Sequence, residues 1–170
     1  FEPVKNIYTT YKNLGILYQQ NGQTEKAINA YRSALEYTPS YFSASYAASV
    51  QLTLGMLLEK SGNADEALKM LHQARPSAGS PAMVDNLLGI IAGKQGYSDA
   101  AEFFFRRAIK EDGSYAPAHY NLGIMYLNSQ ARQKGMDELR VAAGLHNGYA
   151  DALARYETAS ASDRHSQSAW

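Results

Sequence analysis

The sequence predicts an all-α fold in which four helix hairpins stack into an α-solenoid, with one further helix capping its C-terminal end. The first observation is a repeat. The dipeptide Leu-Gly occurs four times, and the last three copies begin 34 residues apart, at Leu54, Leu88 and Leu122. The second observation is that apolar residues around each copy recur at helical spacing. A repeat of this length indicates hairpins that bury their apolar faces against one another.

The first repeat, whose Leu14-Gly15 pair lies 40 residues before Leu54, shows how each half of a unit forms a helix. Its two apolar faces have helical spacing and consist of Tyr11, Leu14, Gly15 and Tyr18, then Ala27, Tyr31 and Ala34. Gly22 between the faces predicts a helix stop, and Pro39 ends the second helix from just beyond it. Small residues at Gly15 and Ala27 let the two backbones approach, and the tyrosines fill the space around them.

The first repeat resembles the tetratricopeptide repeat (TPR). The shared order is an aromatic residue, Leu-Gly and a second aromatic residue in the first helix, followed by Ala, an aromatic residue, Ala and Pro in the second half. The later units keep Leu54, Gly55, Ala67 and Ala74, then Leu88, Gly89, Ala101, Phe105 and Ala108, and finally Leu122, Gly123, Tyr126 and Ala142. Gln51 and Asp85 replace the first aromatic residue, and Gln130 replaces the glycine between the helices. Gly135 replaces an alanine, which predicts looser packing in the fourth unit. The resemblance implies a right-handed superhelix over residues 8–148.

The predicted domain organisation is a single TPR domain over residues 1–160, followed by a disordered tail at 161–170. Within the domain we expect repeats at about 8–41, 42–81, 82–115 and 116–148 and a capping helix at 149–160. The predicted hairpin helices are 7–20 and 24–37, 43–60 and 64–76, 81–94 and 98–111, 115–128 and 132–145.

The first interval between Leu-Gly pairs is longer than the others by six residues, which fall within 41–47. They could lengthen the third helix or form a loop. Because no Gly or Pro lies between Ser40 and Leu54, we expect a longer helix.

Composition argues against several classes of partner. The 170 residues include 16 basic and 16 acidic side chains, so the chain lacks the basic excess typical of nucleic-acid binders. No apolar run reaches the roughly 18 residues that predict a membrane span. The absence of Cys excludes disulfides and Cys-ligated metals. We therefore expect a soluble protein, cytoplasmic or periplasmic, with no nucleic-acid partner.

Motifs for catalysis are absent. The four histidines (His72, His119, His146 and His165) do not have the spacing of metal ligands. His119 occupies an aromatic position of the fourth repeat, where a packed structural histidine is expected. No serine lies in a nucleophile-elbow pattern, and no glycine-rich phosphate loop follows a strand. We predict that the chain is not an enzyme and uses no cofactor or metal.

The resemblance implies that the first helix of each hairpin lines a concave groove. An exposed apolar strip with polar neighbours indicates a binding site, and Asn side chains can bind a peptide backbone because an amide both donates and accepts. The predicted peptide-binding residues are Lys12, Asn13, Ile16, Leu52, Met56, Lys60, Asn86, Ile90, Lys94, Tyr120, Asn121 and Ile124. The three lysines predict a partner segment that is neutral to mildly acidic.

Two functions remain open at this point. The first is a non-catalytic protein–protein interaction scaffold that binds a peptide or helical segment in the groove. The alternative is a structural or assembly module that self-associates or docks another domain of a larger protein or complex. The apolar strip favours the first function, and nothing in the sequence identifies the partner.

Overall fold

The computed structural model describes the backbone of residues 3–39 and 44–167 and the side chains of residues 7–39 and 44–158. Within these residues the chain forms nine α-helices and no β-strand. They are α1 (Pro3–Gln20), α2 (Thr24–Glu36), α3 (Ala44–Lys60), α4 (Ala64–Ala74), α5 (Pro81–Lys94), α6 (Ser98–Glu111), α7 (Ala116–Asn128), α8 (Arg132–Leu145) and α9 (Ala150–Gln167). Short 3₁₀ turns follow α4 at Arg75–Ser77 and α8 at Asn147–Tyr149. The predicted all-α solenoid is confirmed.

Consecutive helices pack as hairpins, and the hairpins pack on one another. The hairpins are α1 with α2, α3 with α4, α5 with α6 and α7 with α8. Contacts of α2 with α3, α4 with α5 and α6 with α7 join neighbouring hairpins, and α9 packs on α8. The first helices also meet, α3 with α5 and α5 with α7, so they lie side by side in the stack.

The start of α3 and the end of α9 were each predicted from the sequence, and both lie next to residues outside the described part of the chain. Helix α3 begins at Ala44, so the described part of the 41–47 extension is helical, as expected, and residues 41–43 lie outside the described residues. Helix α9 continues to Gln167, so residues 161–167 are helical rather than disordered. No Gly or Pro interrupts this segment, which explains why the helix does not end at residue 160. Residues 168–170 also lie outside the described part, and the division into one domain and a tail stays a prediction.

The Leu-Gly pairs set the distance between the two helices of a hairpin. A Cβ on Gly15 would lie 2.7 Å from Cε1 of Tyr31, and a Cβ on Gly89 would lie 2.6 Å from Cε1 of Phe105. Carbon atoms do not approach this closely without overlap, so the aromatic ring occupies the space that any larger residue would need. The predicted pairing of a small residue with a large one is confirmed in these hairpins.

The fourth hairpin is closely packed, and the prediction that Gly135 loosens it is wrong. A Cβ on Gly135 would lie 2.6 Å from Cγ of Leu127 and 2.9 Å from the carbonyl oxygen of Gly123. A Cβ on Gly123 would lie 3.0 Å from the carbonyl oxygen of Gly135. Helices α7 and α8 therefore meet backbone to backbone. Their approach fills the space that the absent alanine methyl would otherwise leave empty.

The turn inside the fourth hairpin keeps the shape of the other three turns without their glycine. Gly22, Gly62 and Gly96 have φ angles of 68°, 83° and 83°, and Gln130 has a φ of 64°. It is the one non-glycine with a positive φ among the described residues. A side chain in this conformation costs on the order of 1 kcal/mol, so the packing of α7 on α8 determines the turn against the preference of its residue.

Asp85 is fully buried at the position where the repeat pattern has an aromatic residue. Arg75 donates to its two carboxylate oxygens at 2.7 and 2.9 Å, and Arg107 donates to them at 2.8 and 2.6 Å. Arg75 also donates to Glu111 at 2.9 Å. Burial works to raise the pKa of Asp85, but the hydrogen bonds from Arg75 and Arg107 outweigh it and hold that pKa below its usual value. This ion cluster links the 3₁₀ turn after α4 to α5 and α6.

His119 is a packed structural residue, as predicted, and is 8% exposed. Its Nδ1 lies 2.6 Å from Oε2 of Glu138, and its Nε2 lies 3.1 Å from the carbonyl oxygen of Gly113. The ring therefore connects α7 to α8 and to the segment that follows α6. Both ring nitrogens are used in these contacts.

We expect Gly135→Ala to lower the free energy of unfolding by about 1–3 kcal/mol, because the added methyl group would overlap Leu127 and the Gly123 carbonyl. The control is Gly144→Ala on the same helix, where a Cβ meets nothing within 4 Å. We expect that variant to be neutral or more stable by up to about 1 kcal/mol. Urea denaturation followed by far-UV circular dichroism measures both. Equal effects of the two substitutions would show that the fourth hairpin has room for the methyl group.

We expect Asp85→Asn to lower the free energy of unfolding at neutral pH by about 2–3 kcal/mol, because it leaves two partly exposed arginines without their buried counter-charge. The pKa of Asp85 is lower in the folded chain, so its stabilising effect is present above the unfolded pKa of about 3.9 and is lost as the pH falls through the folded value. The difference between wild type and variant should therefore shrink in acid, as measured by urea denaturation across pH.

The control for this pH series is Asp137→Asn. Asp137 is exposed and pairs with Arg140 on the surface, so we expect a change below about 0.5 kcal/mol at any pH. A difference between wild type and Asp85→Asn that stays constant or grows as the pH falls contradicts the assigned role of the ion cluster.

Candidate peptide-binding groove

A cavity of about 630 Å³ lies where α5, α6 and α7 meet. Its apolar lining comes from all three helices and consists of Ile90, Phe105, Tyr120, Ile124 and Met125. Polar groups surround this lining, among them Lys94, Asp99 and Asn121. A concave surface with an apolar lining and a few polar groups is the usual form of a ligand-binding site.

Five of the twelve predicted binding residues line this cavity, and they come from the third and fourth repeats: Ile90, Lys94, Tyr120, Asn121 and Ile124. The six predicted residues of the first two repeats are not among its lining residues: Lys12, Asn13, Ile16, Leu52, Met56 and Lys60. Of these six, Ile16 is 39% exposed, whereas Leu52 packs against the hydrophobic core. Of the predicted residues, this cavity thus brings together only residues of α5 and α7.

The twelfth predicted residue, Asn86, is buried and bound to Asn121. Nδ2 of Asn121 donates to Oδ1 of Asn86 at 2.8 Å, which joins α7 to α5. This bond uses one donor and one acceptor of the two amides that were predicted to hold a peptide backbone. It also fixes the orientation of the half-buried Asn121 side chain at the cavity, with its own carbonyl oxygen outside that bond.

Lys94 is ion-paired, so the positive charge predicted to select an acidic partner is compensated at this cavity. Its Nζ donates to Oε1 of Glu59, which joins α5 to α3. The Lys94 side chain is 66% exposed and the Glu59 side chain is 11% exposed. Such a surface pair contributes at most about 1 kcal/mol to stability, yet it places a negative charge beside the cation. The other two predicted lysines, Lys12 and Lys60, do not line the cavity.

The wall formed by α6 was missed by sequence reasoning, which considered only the first helix of each hairpin. Its residues are Ser98, Asp99, Ala101, Glu102 and Phe105. Ser98, Glu102 and Phe105 recur at i, i+4 and i+7, and that common helix face was the available signal. The Glu102 carboxylate accepts hydrogen bonds from the Tyr126 hydroxyl at 2.6 Å and from Arg106 at 2.8 Å. These two bonds hold the pKa of Glu102 below its usual value.

The C-terminal segment covers one side of Tyr120. The Tyr120 and Tyr149 rings stack with their centroids 4.8 Å apart, and His146 meets the edge of the Tyr149 ring at 5.8 Å. Tyr149 belongs to the 3₁₀ turn before α9. Tyr120 therefore lines the cavity and also packs against the capping segment.

No group of three or more His, Asp or Glu side chains in the described part of the chain could hold a metal ion. None of the described helices combines the length and the apolar character needed to cross a membrane.

Two family models match the chain, and both are tetratricopeptide repeats. They cover residues 8–41 and 86–115. The first match coincides with the predicted first repeat, and the second lies within the predicted third repeat.

One curated sequence relative is the probable UDP-N-acetylglucosamine–peptide N-acetylglucosaminyltransferase SPINDLY of Hordeum vulgare. It is 30% identical over 113 residues, which make up 66% of this chain and 8% of that protein. The chain thus spans a small fraction of that relative's length. The transferase activity named for the relative belongs to that protein and is not assigned to this chain.

The solved structures that resemble the chain share its fold. A crystal structure of MamA covers 91% of this chain and 90% of its own, with a TM-score of 0.69 and 21% identity. The structure of YrrB, described as a TPR protein with an unusual peptide-binding site, covers 84% of this chain and 70% of its own, with a TM-score of 0.62 and 21% identity. The solved structures share the fold of the chain, and the two repeat matches identify it as a tetratricopeptide-repeat domain protein.

Proposed function

We propose that the chain binds a peptide or a short helical segment of a partner protein in the cavity between α5, α6 and α7. The observation that carries this proposal is the cavity itself, about 630 Å³ in volume, with an apolar lining contributed by three helices. Its size suits one or two anchoring side chains of a partner, since ligand cavities commonly measure about 300–1,000 Å³.

The surrounding groups suit a polypeptide ligand. Asn121 is held in place by Asn86 and has a carbonyl oxygen outside that bond, which can accept from a partner's backbone N–H. Asn128 and Ser129 at the end of α7 add further polar groups to the lining. A partner that places apolar side chains in the cavity and backbone amides along α7 would satisfy both parts of this surface.

We expect Ile124→Glu to abolish peptide binding, because a carboxylate would be placed within the apolar lining and would lose hydration when the partner covers it. The probe is a random-peptide display library selected on the whole chain, and affinities of the selected peptides are measured by fluorescence anisotropy. The matched control is Ile16→Glu, which introduces the same charge at an exposed position of α1 that does not line the cavity.

The proposal fails if selection yields no peptide that Ile124→Glu releases. It also fails if Ile16→Glu releases the selected peptides and Ile124→Glu leaves them bound, because the binding surface would then be the first hairpin. Unfolding curves of both variants separate loss of binding from loss of structure.

A second candidate function, self-association, is favoured by apolar surface on the first hairpin. Ile7, Leu17 and Tyr37 are 38%, 51% and 41% exposed. A cavity of about 430 Å³ is lined by Ile7, Thr10, Tyr11 and Tyr37, and the rings of Tyr11 and Tyr37 stack with their centroids 5.7 Å apart. A second copy of the chain could cover this surface in the way that a preceding hairpin would.

If the first hairpin mediates self-association, light scattering should give a mass that rises with concentration towards twice that of one chain. Ile7→Ser should weaken this association by reducing the apolar area that a second copy buries. Val141→Ser on α8 is the control, since Val141 is 43% exposed and lies elsewhere in the stack. A monomeric mass at every concentration excludes this candidate.

A further inference from the structure

We propose that the cavity between α5, α6 and α7 selects a partner segment in which an apolar side chain lies next to a lysine or arginine. The apolar side chain packs against Gly93, and the cation pairs with Asp99. The proposal rests on the proposed function, because it specifies the chemistry of the segment that binds there. It differs from the neutral to mildly acidic partner segment predicted from the lysines of the sequence.

One charge remains uncompensated at the cavity once the ion pairs of its lining residues are taken into account. The charged residues of the lining are Lys94, Asp99 and Glu102. Lys94 is compensated by Glu59, and Glu102 is compensated by Arg106.

Asp99 differs from the other two charged residues. It is exposed in the first turn of α6, and no ion pair or hydrogen bond links its carboxylate to another residue in the described ranges 3–39 and 44–167. An unpaired carboxylate beside an apolar surface favours a partner with a positive charge next to its apolar anchor. Opposite charge at the edge of an interface also discriminates against acidic segments by repulsion.

The cavity also contains a glycine that the packing of the chain does not require. Gly93 lies within α5 and lines the cavity, and it is not among the glycines with positive φ. A Cβ added to it would meet Cβ of Ala101 at 3.7 Å, which is an ordinary contact. By contrast, a Cβ on Gly89, one turn earlier, would overlap Phe105.

A helix is less stable with glycine at an interior position than with alanine. A helical glycine that packing does not require therefore lowers the stability of the free chain. Gly93 is exposed to the cavity, where the missing side chain deepens the surface between α5 and α6. We infer that this space receives partner atoms in close contact with the α5 backbone. The same cavity thus offers a place for an apolar group and, on α6, a charge for its neighbour.

The test uses the random-peptide display library selected on the whole chain, followed by affinity measurements on the selected peptides. We expect lysine or arginine to be enriched next to an apolar residue. Asp99→Asn should weaken those peptides by about two- to fivefold, as expected for an exposed ion pair, and this loss should diminish at high salt. The control is Asp65→Asn, because Asp65 occupies the same position in the first turn of α4 and does not line the cavity.

A second pair of variants tests the role of Gly93. Gly93→Ala should raise the melting temperature by about 2 °C while weakening the selected peptides by about tenfold or more, since the added methyl occupies the partner's place. Gly144→Ala, also within a helix, should leave peptide affinity unchanged. A loss of affinity that accompanies a gain in stability cannot arise from damage to the fold.

The outcomes separate this inference from the proposed function. The selected peptides can be released by Ile124→Glu and yet show no enrichment in basic residues and no response to Asp99→Asn. That result overturns the inference and leaves the proposed peptide-binding function intact. Acidic selected peptides overturn it in the same way. Binding that Gly93→Ala does not change overturns the placement of the apolar side chain. If no peptide depends on Ile124, both the inference and the proposed function are wrong.

Discussion

The close packing of the second helix of a hairpin against the glycine of each Leu-Gly pair is the constraint on which the rest of the structure depends. In the first and third hairpins a ring from the second helix lies where a Cβ of the glycine would be. In the fourth hairpin two glycines meet directly, at Gly123 and Gly135. Because the packing of the two helices is fixed in this way, each hairpin offers a face on which the next hairpin can stack.

The junction between the second and third hairpins shows that the solenoid can replace apolar packing with ion pairs. Asp85 takes the place of an aromatic ring and binds Arg75 and Arg107. Arg107 also lies over the rings of Phe103 and Phe104, at 5.3 and 5.0 Å from their centroids. A buried carboxylate is tolerated there because two forked guanidinium groups satisfy both of its oxygens. The cluster orients α5 relative to α6, and these helices form two walls of the cavity.

The fold could be predicted because it depends on local periodicity and on small residues at fixed positions. Both features can be read directly from the sequence. The site could be predicted only in part. Ile90, Tyr120 and Ile124 of the candidate site follow from their positions on first helices, whereas the α6 wall belongs to a second helix and is visible in the sequence only as one helix face. The pairing of Lys94 with Glu59 joins residues 35 positions apart, and no local pattern indicates it. Charge at a surface depends on such pairings between distant residues, which local patterns in the sequence do not reveal.

The two glycines of α5 differ in whether the packing of the chain requires them. Gly89 and Gly93 are four residues apart on the same helix, and both line the cavity. Gly89 is needed by the free chain because Phe105 fills its side-chain position. Gly93 is not needed in this sense, and its replacement by alanine would favour the helix. In the proposed binding mode, stability gained by a methyl group at Gly93 comes at the expense of the space offered to the partner, which is a trade-off between stability and function.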